Sequence, residues 1–266
     1  MNPLTWIGDK IAHFLQKPSP TYQSETTCEP EALIQTLKKG DVLLIDGVSR
    51  VSTAIKYLTQ STWSHATLCI SDQYQVENPD MTKVQLLEAD VVEGVRVVNI
   101  QEYVQQGTRI CRPVGLNPED IEKVINYGQQ RIGHQYDTKN IFDLARYLIQ
   151  TPPVPVGWRR EMLSLGSGDP TRAICSSLLA EGFQSIGYPI LPQKVKPAAS
   201  RARESKIKHF FQSRHPTLFV PKDFDISPYF AIIKPTIEQH FDPYTFNWDS
   251  NTKVKQEKQP SIVKTD

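Results

Sequence analysis

The sequence has no membrane-crossing segment, no recognisable signal peptide and no strong net charge. No stretch approaches the ~18 apolar residues that a membrane-crossing helix needs. The N-terminus has neither the continuous apolar core nor the small-residue cleavage site of a signal peptide. The formal net charge is only +1 over 266 residues, so no global field favours nucleic acid. These absences predict a cytoplasmic protein that binds no nucleic acid.

Cysteine is scarce and scattered. The chain has 4 cysteines in 266 residues, with no CxxC spacing and no metal-ligand pattern. Small disulfide-stabilised secreted proteins usually show denser, paired cysteines. The sequence therefore predicts free thiols, no structural metal and no cofactor.

Three parts follow one another along the chain. Residues 1–29 combine a short amphipathic helix, in which apolar residues recur at helical spacing, with a polar, proline-bearing linker. Residues 30–245 carry the alternating strand and helix patterns of a folded domain. Residues 246–266 are polar and are predicted to be disordered.

Within the domain, compact apolar runs predict strands and 3.6-residue periods predict helices. Strands are expected over 41–46, 65–71 and 108–114, as a hairpin over 84–90 and 94–100, and over 229–235. Helices are expected over 30–38, 48–59, 117–133 and 138–150, and from residue 173 or 174 onward. The basic segment 194–215 is predicted to be a solvated loop.

Cys175 is the first candidate for chemistry. It lies at the start of a predicted helix behind the polar loop 166–170. A helix N-terminus carries partial positive charge and unpaired N–H groups, both of which favour the thiolate. The small neighbour Ser176 leaves room for a substrate. The alternative is a buried cysteine that only packs.

A reactive thiol needs an imidazole to take its proton and later to protonate the leaving group. His65 opens a predicted strand directly after a turn, and His134 is the rival candidate. Glu88 interrupts an apolar run on a neighbouring predicted strand, where an unpaired carboxylate would be costly to bury. It is therefore the candidate to orient the imidazole, with Asp90 as the alternative.

Several motifs in one order carry a family resemblance. They are GDVLLI (40–45), WSHATLCI (63–70), LLEAD (86–90), IGHQYD (132–137), SGDPTRAICSSLLAEGF (167–183) and PKDFDISPYF (221–230). The set resembles the YiiX/YebB-like family, the permuted papain-like amidases of the NlpC/P60 superfamily, over about residues 38–235. In ordinary NlpC/P60 enzymes the cysteine helix precedes the histidine strand, and here the order is reversed.

The resemblance implies an α+β fold of the circularly permuted papain-like (NlpC/P60) type. An antiparallel sheet would pack against helices that include the nucleophile helix. The resemblance implies Cys175 as nucleophile, His65 as base and Glu88 as the residue that orients it. It also implies that Tyr136 polarises the substrate carbonyl, and Ser176 is the neighbouring substrate-binding candidate.

Three functions remain open from the sequence. The first is a cysteine-dependent hydrolase, an amidase or peptidase that acts through a thioester on a small-molecule or peptide substrate. The second is a lipid acyltransferase or phospholipase with the same site, in peripheral membrane contact through residues 1–16 and 194–215. The third is a binding module without catalysis on this scaffold.

Overall fold

The structure is a computed structural model that describes residues 16–19, 22–72, 74, 76, 78–90, 93–134, 174–195, 210–239, 242 and 244. The predicted helix of the N-terminal part, the predicted helix over 138–150 and the tail 246–266 lie outside the described residues. None of the described helices combines the length and apolarity needed to cross a membrane.

The described residues form eight strands in two antiparallel sheets. The strands are β1 (Val42–Asp46), β2 (His65–Cys69), β3 (Gln85–Asp90), β4 (Gly94–Asn99), β5 (Gly107–Pro113), β6 (Gln193–Val195), β7 (Phe210–Gln212) and β8 (Phe230–Ile233). Six of them make the main sheet, in the order β4-β3-β2-β1-β5-β8. Its neighbouring strands are antiparallel throughout. The α+β class and the antiparallel sheet predicted from the sequence are confirmed.

Helices flank this sheet. They are α1 (Pro30–Thr36), α2 (Arg50–Thr59), α3 (Pro118–Gln129), α4 (Ile174–Ser185), α5 (Lys222–Asp225) and α6 (Pro235–Glu238). Short 3-10 turns cover Met81–Lys83, Ile100–Glu102 and Pro216–Leu218. The predicted start of α3 is confirmed: the Asn117 side chain accepts a hydrogen bond from the backbone N–H of Asp120, and proline occupies the first turn.

The core lies on both faces of the sheet, and β1 is therefore buried along its whole length. Its alternate residues divide between two clusters, as the two-residue period of a strand requires. Leu44 lies in the first cluster, with residues of α3 and α4. Leu43 lies in the second cluster, with residues of α1 and of the segment around Ile100.

The predicted hairpin is the tight pair β3–β4. Asp90 pairs with Gly94 at the turn, and the register places Glu88 directly opposite Arg96. Gly94 has a φ of 74°, a left-handed conformation that glycine adopts without steric cost. The position of the turn therefore determines that Glu88 and Arg96 lie opposite one another on the two strands.

One expectation is corrected. The ends of the basic segment 194–215 are not loop, because β6 and β7 pair there as a small second sheet, with Lys194 opposite Phe211. Charged residues are common on short edge strands, so a run of charge does not exclude pairing. Residues 196–209 lie outside the described part of the chain.

Candidate active site

The Cys175 thiol is held at the first turn of α4. This helix packs on the sheet through Leu178, Leu179 and Phe183, all in the first core cluster. Cys175 itself is only 4% exposed. The apolar face of the helix thus fixes the position of the thiol.

His65 is the first residue of β2 and the centre of the site. Its Nε2 lies 2.8 Å from Glu88 Oε2. The Cys175 thiol is hydrogen-bonded to the same side chain. Because Nε2 is engaged by Glu88, Nδ1 is the ring nitrogen that can exchange a proton with the thiol. The predicted histidine, cysteine and glutamate are therefore brought together as one hydrogen-bonded chain.

The thiol and the carboxylate approach the ring from different faces of the sheet. Ala66 lies in the first core cluster, so the side chain of its neighbour His65 projects toward the opposite face. Leu87 also lies in the first cluster, so Glu88 projects in the same direction as His65. Cys175 belongs to the helix on the first face. The His65 imidazole, at the end of β2, bridges the Cys175 thiol and the Glu88 carboxylate.

The two buried groups of the pair shift each other's pKa. Burial alone would raise the pKa of Cys175, but the charge and hydrogen bond of His65 lower it below its usual value, and the backbone N–H of Ala66 adds to this. Burial alone would lower the pKa of His65, but Cys175 and then Glu88 raise it well above its usual range. Both shifts favour a thiolate beside an imidazolium.

The other cysteines differ from Cys175 in this respect. All four are free thiols. Burial raises the pKa of Cys28, raises that of Cys69 to about 12 and raises that of Cys111 further. Since the thiolate is the reactive form of cysteine, Cys175 is the one of the four whose pKa is shifted toward reactivity.

Glu88 is 1% exposed and carries a negative charge that its neighbours stabilise. Burial opposes ionisation, but the hydrogen bonds and charges of His65, the Tyr103 hydroxyl and the Arg96 charge together lower its pKa from 4.5 to about 2. Arg96 Nε donates to Oε1 at 2.9 Å. The carboxylate is thus an anion at neutral pH, as an orienting partner of an imidazolium must be.

Sequence reasoning missed Tyr103 and Arg96. The Tyr103 hydroxyl donates to Glu88 Oε2, the oxygen that also contacts His65. Arg96 was detectable in principle, because a hairpin centred between residues 90 and 94 pairs residue 88 with residue 96. Tyr103 follows a short 3-10 turn after the hairpin, and no periodicity predicts where its side chain points.

The rival candidates lie elsewhere. His134 is exposed, and its described contacts are backbone hydrogen bonds with Val95 and Arg131. Asp90 accepts hydrogen bonds from the Gln16 side chain and the Glu93 backbone. Neither is part of the hydrogen-bonded chain around His65.

Ser176 and Tyr136 are the two remaining predicted site residues. Ser176 is fully buried beside the nucleophile candidate, with its Oγ 3.9 Å from Cys175 Sγ. Its predicted role in substrate binding stays a prediction. Tyr136 lies outside the described residues.

The described part of the chain contains no group of three or more His, Cys, Asp or Glu side chains arranged to hold a metal ion.

The fold is of the α+β class, and the strand that carries His65 precedes the helix that carries Cys175 along the chain. A family model, described as the permuted papain-like amidase enzymes YaeF/YiiX, matches residues 36–147. The matched span includes His65, Glu88, Arg96 and Tyr103 and ends before Cys175. The match confirms the resemblance seen in the motifs over residues 36–147, and the matched family is described as one of amidase enzymes.

Among solved structures, the chain is similar to a crystal structure described as that of the metalloprotein yiiX from Escherichia coli O157:H7. The two share 18% sequence identity with a TM-score of 0.45, over 75% of this chain and 97% of that one. A comparison with curated proteins found no match.

Proposed function

We propose that the protein is a cysteine-dependent hydrolase of amides that works through a thioester on Cys175. The observation that carries the proposal is the buried hydrogen-bonded chain from Cys175 through His65 to Glu88, in which the pKa of the thiol is lowered. A merely packing cysteine has the opposite shift, as Cys111 does. The match to a family of amidase enzymes supports the same class of reaction.

In the first half-reaction, Cys175 Sγ attacks the substrate carbonyl carbon and forms a C–S bond. The negative charge that develops on the carbonyl oxygen meets the backbone N–H groups of the first turn of α4, which have no acceptor within the helix. The C–N bond then breaks, and His65 gives its proton to the departing amine.

In the second half-reaction, water replaces the amine. His65 removes a proton from the water, the resulting hydroxide attacks the thioester carbonyl and the C–S bond breaks. The carboxylic acid leaves and the thiolate is restored beside the imidazolium. Glu88 keeps the ring oriented and stabilises its positive charge in both halves.

The test is to trap and weigh the acyl-enzyme. The purified full chain is incubated with a cell metabolite extract, quenched in acid and analysed by intact and peptide mass spectrometry. We expect an added mass on Cys175 that hydroxylamine removes, as it does a thioester. The added mass identifies the acyl group, and a fatty-acyl mass would assign the enzyme to lipid substrates.

Two variants control this experiment. Cys175→Ala should abolish the adduct, whereas Cys28→Ala, which removes a half-buried thiol of raised pKa, should leave it unchanged. An adduct that persists in Cys175→Ala, or a parent protein that forms none with any extract, would reject the proposal.

A further inference from the structure

Tyr103 takes no part in the proposed bond and proton transfers, yet it is held tightly against the site. Its backbone N–H donates to the carbonyl of Ile100 at 2.8 Å, and its own carbonyl accepts from Gln106 at 2.9 Å. Ile100 is fully buried in the second core cluster. The backbone that carries the phenol is therefore anchored to the core at the point where the side chain turns toward Glu88.

The two oxygens of Glu88 have different partners. Oε1 accepts from Arg96, through Nε at 2.9 Å, with Nη2 at 2.8 Å. Oε2 accepts from two groups at once, the His65 ring and the Tyr103 hydroxyl. Two donors on one oxygen share its electron density, so each hydrogen bond is weaker than it would be alone.

The phenol remains a donor throughout the working pH range. Burial and the adjacent Glu88 charge raise the pKa of Tyr103 far above its usual value. The ring also lies against the imidazole, with centroids 5.9 Å apart and planes at 42° to His65. Tyr103 thus contacts both members of the His65–Glu88 pair.

We propose that Tyr103 is a positioning residue that sets the basicity of His65 by sharing the carboxylate oxygen of Glu88. The inference rests on the proposed function and deepens it. By withdrawing electron density from Oε2, the phenol weakens the hold of the carboxylate on the imidazolium. His65 then releases its proton to a leaving group more readily than it would with Glu88 alone.

Among the described residues, charged groups from α4, β3 and β4 face the His65–Glu88 pair or its members. Cys175 faces His65 from α4, and Glu88 faces it from β3. Arg96 of β4 faces Glu88, and it also contacts Glu93 and Glu102 at the surface. Replacing the Tyr103 hydroxyl by hydrogen changes none of these charges, so a shift in the His65 titration can be attributed to the lost hydrogen bond.

The experiment is a pH profile of Cys175 alkylation by iodoacetamide, which needs no substrate. In the parent we expect two inflections, a lower one where the thiolate forms beside the imidazolium and an upper one where His65 loses its proton. Tyr103→Phe should move the upper inflection to higher pH, by about 0.5 unit for a hydrogen bond to a charged group, and leave the lower one in place.

Two further variants test whether the shift of the upper inflection is specific to the Tyr103 hydroxyl. Tyr127→Phe is the matched control, because the Tyr127 hydroxyl also donates to a carboxylate, that of Glu181, at 3.0 Å, and it is expected to leave both inflections unchanged. Placing 3-fluorotyrosine at position 103 keeps the shape and makes the phenol a stronger donor, so it should move the upper inflection to lower pH. This second probe tests the idea even if the phenylalanine variant does not fold.

The outcomes separate this inference from the proposed function. A parent profile without the lower inflection would refute the thiolate–imidazolium pair, and the role of Tyr103 with it. A normal parent profile, with an upper inflection that neither change at position 103 moves, would overturn the role of Tyr103 alone. Shifts of opposite sign for the two changes support it.

Discussion

Replacing Glu88 by glutamine tests the electrostatics of the site without any substrate. The side chain keeps its shape but loses its charge, so Arg96 and the His65 imidazolium lose their buried partner. The pKa of Glu88 falls from 4.5 to about 2 in the folded protein. Since one pKa unit corresponds to about 1.4 kcal/mol, the ionised carboxylate contributes about 3 kcal/mol to folding at neutral pH.

The sign of the pH dependence follows from the direction of that shift. A group whose pKa is lowered by folding stabilises the protein above its unfolded pKa, and this contribution is lost as pH falls through its folded pKa. The contribution of Glu88 is therefore complete above pH 4.5 and disappears as pH approaches 2. The glutamine variant lacks this dependence.

The assay is urea unfolding of the parent and of Glu88→Gln at neutral pH and near pH 3. We expect the stability difference between the two proteins to shrink by about 1–3 kcal/mol at the lower pH. Glu102→Gln, which removes a half-exposed carboxylate that also contacts Arg96, is the matched control and should show a much smaller change. An equal parent–variant difference at both pH values would refute the reasoning.

Three other predictions follow from the site and its packing. Brief iodoacetamide treatment at neutral pH should label Cys175 far faster than the other three cysteines, and equal labelling by peptide mass spectrometry would contradict its lowered pKa. His65→Ala should abolish turnover and return the alkylation profile of the thiol to that of an ordinary buried cysteine; an unchanged profile would remove His65 from the pair. Gly128→Ala would place a Cβ 2.1 Å from Leu87 Cδ2 and should cost roughly 1–3 kcal/mol, seen as a lower Tm. Gly182→Ala, whose nearest contact is 3.3 Å, should cost less, and equal losses would contradict the packing argument.

The sheet and the helix starts were predictable because their signals are local. The buried run of β1, the hairpin around Gly94 and the Asn117 cap each depend on a few consecutive residues. The approach of Cys175 to His65 is different. It joins residues more than a hundred positions apart, and the motif resemblance, not the residue pattern, predicted that they meet.

The supporting residues were not predicted for a physical reason. The partners of a buried charge are chosen by three-dimensional proximity, and nothing in the sequence around Tyr103 distinguishes it from an ordinary tyrosine of a surface turn. The small sheet of β6 and β7 was also missed, because three-residue strands carry too few residues for a period to be visible.

The order of the elements along the chain has a consequence for how the protein matures. Strands β1–β5 and the segment with Tyr103 are complete by residue 113, whereas the helix with Cys175 is made later. A growing polypeptide on the ribosome can therefore assemble the imidazole, carboxylate, phenol and guanidinium before any nucleophile exists. The site has no thiolate until α4 docks, so the docking of this helix also switches on the chemistry.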